Sequence, residues 1–142
     1  MGLNKMTEVT EVKFVDFYHE KLATKCDFIK KISTELIEIV EVLGLAGLAK
    51  KFPQLDEIKK GSELIHLTYK SMYSTCQFQL EMNAAISLEN MENTEELINK
   101  LYKITVEEKE LFIKLLNTLK NESMETAQTV ARMYDYLITK IV

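Results

Sequence analysis

The stretch "SELIHLTYKSMYSTCQF", residues 62 to 78, gathers the side chains best suited to chemistry: Glu63 and His66 at Glu-x-x-His spacing, Tyr69, Tyr73 and Cys76. Glu-x-x-His is the pair that di-iron carboxylate bundles use to grip metal inside a helical core. At 100° per residue, however, Ile58, Ile65, Tyr69, Met72 and Cys76 form one apolar stripe. His66 falls on its edge and Glu63 nearly opposite, so the two do not converge on one ion. The motif also needs a second copy, and no histidine follows His66. His19, in "FYHEKL", is the only other one. A metal site is therefore not expected.

Nucleophilic chemistry is equally unsupported. Cys26 and Cys76 are far apart, without CxxC spacing, and read as small reduced core residues. "GLAGLAKK" has glycines three apart but lacks phosphate-loop spacing, and no strand precedes it. We expect no enzyme activity.

The chain around these residues has 142 residues, one ordinary domain's length. With 46% hydrophobic and 28% charged residues, 4 Gly and 1 Pro, its composition is that of a helical domain. A net charge of −4 argues against nucleic acid and anionic membranes, both of which select basic surfaces. The start "MGLNKMTEVTEV" has no apolar leader core, and Met6 stands where a myristoylation signal needs Ser or Thr. The apolar run from Val40 to Ala49 is too short to span a bilayer, so membrane insertion is not expected. The chain reads as cytoplasmic.

Periodicity predicts helices almost throughout. Val9, Val12, Phe14, Phe17 and Tyr18 mark a first amphipathic segment, and Phe28, Ile29, Ile32, Leu36, Ile39, Val40 and Leu43 a second. Lys21 and Lys25 fall on the stripe between them, which predicts a bend near residues 20 to 26. Gly44 to Leu48 supplies a glycine for a left-handed C-cap. Pro53 suits the first turn of a short helix through Lys60. Gly61 and Ser62 then suggest a stop and a new cap, and Ser74 with Gln77 a capping box, dividing the middle into helices at about 62–73 and 75–90. Asn93 as N-cap with Glu96 opens a helix to about Lys120, whose stripe is Leu97, Leu101, Ile104, Glu108, Leu111 and Leu115. Ser123 to Val142 forms the last helix, with Ala127, Val130, Ala131, Tyr134, Ile138 and Ile141 on one side. No stretch alternates like a strand.

The final pair, "TEELINKLYKITVEEKELFIKLLNTLKN" and "SMETAQTVARMYDYLITKIV", preceded by shorter helices, resembles the G and H helices of a globin-type fold. More closely, nearly the whole chain resembles the haem-less globin-like sensor domains of bacilli, found on stress regulators and sporulation histidine kinases and as standalone sporulation inhibitors. The resemblance implies an all-α, globin-like single domain of about six helices with a long C-terminal pair. A haem globin carries its proximal histidine on the helix before G, and "CQFQLEMNAAISLENM", Cys76 to Met91, contains none, so no haem is expected.

By the same resemblance the vacated cavity would hold a fatty acid and a small anion. Phe28, Ile32, Ile65, His66, Tyr69, Met72 and Tyr73 are its candidate walls, pliable apolar surface with a few polar tips. The residues taken alone read more readily as ordinary core with satisfied hydroxyls. The implied function is a decoy that inhibits sporulation signalling by sequestering the ligand or partner of a sensor histidine kinase. The alternative is a helical interaction bundle, an adaptor or immunity-type inhibitor, with no small-molecule ligand.

The Thr94–Lys120 helix has a second apolar row, Ile98, Tyr102, Val106, Ile113 and Leu116, roughly 135° from the first. One row would face the core and the other a partner. With Tyr134 and Ile138, the second row is the expected homodimer surface.

Overall fold

The computed structural model describes residues 11–45, 47–122 and 124–142. Val9, Ala46 and Ser123 lie outside the described residues, as do the side chains of Ala127 and Ala131. The order is β1 (Glu11–Lys13), α1 (Phe14–Phe17), a π turn (Tyr18–Leu22), α2 (Ala23–Leu45), α3 (Leu48–Lys51), α4 (Gln54–Glu81), β2 (Ala85–Ser87), α5 (Leu88–Lys120) and α6 (Met124–Ile141). The protein is mostly helical, as composition and periodicity imply.

The bend expected at residues 20 to 26 takes the form of the π turn, in which the helix continues from Phe14 to Leu45 but is locally widened. A π turn inserts one residue and so rotates everything after it by about one residue's angle. Leu22 is thereby buried while Lys21 stays in solvent. Lys25, half-buried, snorkels out and donates to the side-chain oxygen of Asn99. After α2 the chain turns at Gly47, whose φ of 82° is the left-handed conformation a glycine takes at least cost.

The middle region departs from expectation. Residues 54–81 are one uninterrupted helix, not three. Gly61 sits inside it, Ser62 is buried rather than capping, and there is no break at Ser74. Two threonines of the helix bond back to it: Thr68 donates to the Leu64 carbonyl at 2.9 Å, and Thr75 to that of Ser71 at 3.3 Å.

The α4 end is closed by Asn83 at φ 48°, and the chain then forms β2, which pairs antiparallel with β1 in the register Glu11↔Ser87, Val12↔Ile86, Lys13↔Ala85. This ribbon was not foreseen, because three residues are too few to show alternation. It also moves the start of α5. Ser87 leaves the ribbon extended and caps the helix by accepting from the Asn90 amide at 3.2 Å, six residues before the N-cap expected at Asn93.

The core has two parts. One joins α2, the start of α4, the end of α5 and α6 through Ile32, Leu36, Leu55, Phe112, Leu116 and Leu137. The other joins α1, the π turn, the second half of α4 and the start of α5 through Phe14, Leu22, Ile65, Tyr69, Ile98 and Leu101. The face that α5 buries therefore runs through Ile98, Leu101, Thr105, Phe112, Leu116 and Leu119. This corrects the expected core stripe: Leu97, Ile104 and Leu111 are 52%, 47% and 52% exposed. Thr105 explains the shift. A buried threonine reads as polar, but its hydroxyl donates to the Leu101 carbonyl at 2.8 Å and needs no water.

Candidate functional site

Helices α4 and α5 lie side by side, and between them runs a groove of about 460 Å³. That volume is within the range of small-molecule clefts. From α4 it is lined by Gly61, Leu64, Ile65, Thr68 and Met72, which fall on one face at helical spacing. From α5 it is lined by Leu97, Lys100, Leu101, Ile104 and Glu108. Ile65 and Leu101 form the buried floor, and Leu64, 66% exposed, and Ile104 form the open rim.

Glu108 closes one end of the groove. It also lines a second depression of about 330 Å³ that continues between the same helices past Ile58, Leu111 and Leu115. Its carboxyl points at Gly61: a Cβ at that glycine would lie 3.0 Å from Oε1 and 3.2 Å from Oε2. Oε2 is buried with no hydrogen-bond partner among the described residues. Burial, helped by the neighbouring Glu107 carboxylate, pushes the Glu108 carboxyl above its ordinary range. At the opposite rim Lys100 is exposed and pairs with Glu96 of its own helix at 3.2 Å.

Of the seven residues expected to wall a ligand, Ile65 and Met72 line this groove. The other five lie elsewhere. Ile32 is in the first core cluster, and Phe28 packs beside it with its ring 4.9 Å from Tyr102. Tyr69 is buried in the second cluster and stacks on Tyr73 at 5.5 Å. His66 is half-buried, its Nδ1 3.2 Å from the buried Ser33 hydroxyl. Burial and the nearby Lys70 and Lys30 hold its pKa below the ordinary 6.5, so the ring is neutral at pH 7. Glu63 is exposed, and among the described residues no group of three or more His, Cys, Asp or Glu side chains could hold a metal ion.

Cys26 and Cys76 are free and buried. Burial pushes the Cys26 thiol up to about 11 and raises that of Cys76 as well, which leaves both as unreactive thiols at neutral pH. No described helix is long and apolar enough to cross a membrane.

The surface expected to bind a second copy is partly consumed inside the chain. Ile98 and Leu116 are 1% and 0% exposed. Tyr134 donates to the side-chain oxygen of Asn117 at 2.9 Å and carries Lys120 over its ring, while Ile113 and Ile138 pack against the first core cluster. Tyr102 is half-buried against the second cluster, and Val106 is half-buried too.

Sequence reasoning missed Leu64, Thr68, Leu97, Lys100, Leu101 and Ile104 as groove residues. A signal was present in Glu108, a charge within an aliphatic stripe. No family model, curated protein or solved structure matches this chain.

Proposed function

We propose that the protein is a non-enzymatic binding protein that takes an acyl chain into the α4–α5 groove. The observation that carries this reading is the groove's chemistry: a trough walled by Leu64, Ile65, Met72, Leu97, Leu101 and Ile104, with ionisable groups only at its ends. An extended hydrocarbon buries area along such a trough at about 25 cal/mol per Å², and Met72 adapts its shape to the chain. Lys100, at the rim, is the anchor for a carboxylate head group. Glu108, at the other end, repels one, so the head group lies at the Lys100 end.

Together with the resemblance to haem-less globin-like sensors, the reading extends to signalling. The protein would sequester the apolar ligand, or the partner, of a sporulation histidine kinase. Mass spectrometry of an organic extract of purified protein is the test. A fatty acid should copurify with the wild type and be lost from folded Met72→Trp and Leu101→Trp variants, which fill the trough. Wild-type protein with no acyl species in the extract, or variants that retain it, would refute the assignment.

A further inference from the structure

The two ends of the α4–α5 groove differ from its apolar middle and from each other. Along α5 the trough runs from Leu97 to Glu108, which is about 16 Å at 1.5 Å per residue. An extended chain advances about 3.6 Å per three bonds, so about thirteen bonds cover that length. A chain of about twelve carbons with its head group at the Lys100 end thus brings its last carbon to Glu108.

Glu108 is a poor neighbour for a methyl terminus. Its side chain is half-buried, and Oε2 is buried without a hydrogen-bond partner among the described residues. The part of the carboxyl that still meets water lines the groove. A hydrocarbon end laid against it removes that water and leaves a polar group buried with nothing to bond. Past the carboxyl, the adjoining depression adds Gln54, Glu57, Lys114 and Thr118 to its lining, so the far end of the chain meets hydrogen-bonding groups rather than a closed apolar wall.

We infer, resting on the lipid reading above, that the acyl ligand carries a terminal hydroxyl: an ω-hydroxy fatty acid of about twelve carbons, held by its carboxylate at Lys100 and by its hydroxyl at Glu108. A hydroxyl suits Glu108 in either protonation state, since it donates to a carboxylate and accepts from a carboxyl. An ammonium terminus fits less well. It needs the charged form of Glu108, which burial disfavours, and it gives up its own hydration on entering.

Isothermal titration calorimetry of delipidated protein with dodecanoic acid and with ω-hydroxydodecanoic acid reads the selectivity. In a purely apolar trough the plain acid binds more tightly, because a hydroxyl buried without a partner is penalised. Wild-type protein should instead bind the hydroxy acid about tenfold more tightly, the ratio that one satisfied hydrogen bond gives. Glu108→Gln, which still donates and accepts, should keep that preference, and Glu108→Leu should reverse it. Unchanged far-UV circular dichroism establishes that each variant is folded. If Glu108→Leu does not fold, Glu108→Ala takes its place, and the wild-type ratio decides in either case. Equal affinities in the wild type, tighter binding of the plain acid, or a preference that survives in Glu108→Leu overturns the terminal hydroxyl and leaves the lipid reading standing. Binding of neither acid also overturns it, and the organic extract of purified protein then decides separately whether the groove holds another lipid.

Discussion

The carboxyl of Glu108 on α5 occupies the space that a side chain at Gly61 on α4 would fill, with Oε1 3.0 Å from the position of a Cβ there. Glycine in a helix interior costs roughly 1 kcal/mol relative to alanine. In α4 part of that cost is offset by the room left for the Glu108 carboxyl. The residue that looked like a helix stop is thus a contact between helices.

This relation sets the outcome of Gly61→Ala. The helix gains up to about 1 kcal/mol in propensity, and the group in the way is the far end of a flexible side chain with open groove on both sides of it. We expect net stabilisation of a few tenths of a kcal/mol, rising to about 1 kcal/mol in a Glu108→Ala background where nothing must move. Urea denaturation of the four proteins in this double-mutant cycle measures it, and additive effects would show that the two residues do not touch.

Glu108→Gln should raise stability at pH 7, by about 0.5–1 kcal/mol, because it removes a partly buried, unsatisfied charge. The folded-state pKa lies above the ordinary 4.5, so Glu108 contributes stability that is full below 4.5 and lost as pH rises through the folded value. The advantage of the variant should therefore shrink as pH falls from 7 towards 4.5. Thermal melts at low protein concentration, where association does not contribute, would show this as a gain of about 2 °C at pH 7 and less in acid. A gain independent of pH would mean the carboxyl is solvated.

The rotation of α5 about its axis is tested by neighbouring residues. Phe112 is fully buried and Leu111 is 52% exposed. Phe112→Ala should cost about 3–5 kcal/mol, and Leu111→Ala less than about 1 kcal/mol in the monomer. Equal costs would restore the aliphatic stripe as the core face.

His66 supplies a second pH effect, opposite in sign. Its pKa is held below 6.5, so its contribution to stability is present above 6.5 and lost as pH falls through the folded value. Histidine NMR titration should place His66 below the ordinary 6.5. Because Ser33 is buried against the ring, Ser33→Ala should cost about 1 kcal/mol. Titration of His66 at or above 6.5 would remove it from its pocket.

Much of the architecture is legible in local sequence. Composition and 3.6-residue periodicity set the helical class, the misplaced lysines at 21 and 25 marked the π turn, and Gly47 marked the left-handed turn. These are properties of a few adjacent residues and the backbone they share. Everything that depends on what a helix packs against was decided only in three dimensions. The middle of the chain carries Gly61, Ser62 and Ser74, each a local breaker or cap, yet packing on α2 and α5 holds residues 54–81 in one helix. In α5 two apolar rows compete, and the aliphatic one lost to a row containing Thr105, because hydrogen bonding within the helix hides a hydroxyl that sequence alone counts as polar. The groove exists only because Gly61 faces Glu108 across two helices distant in sequence, a juxtaposition no single segment encodes.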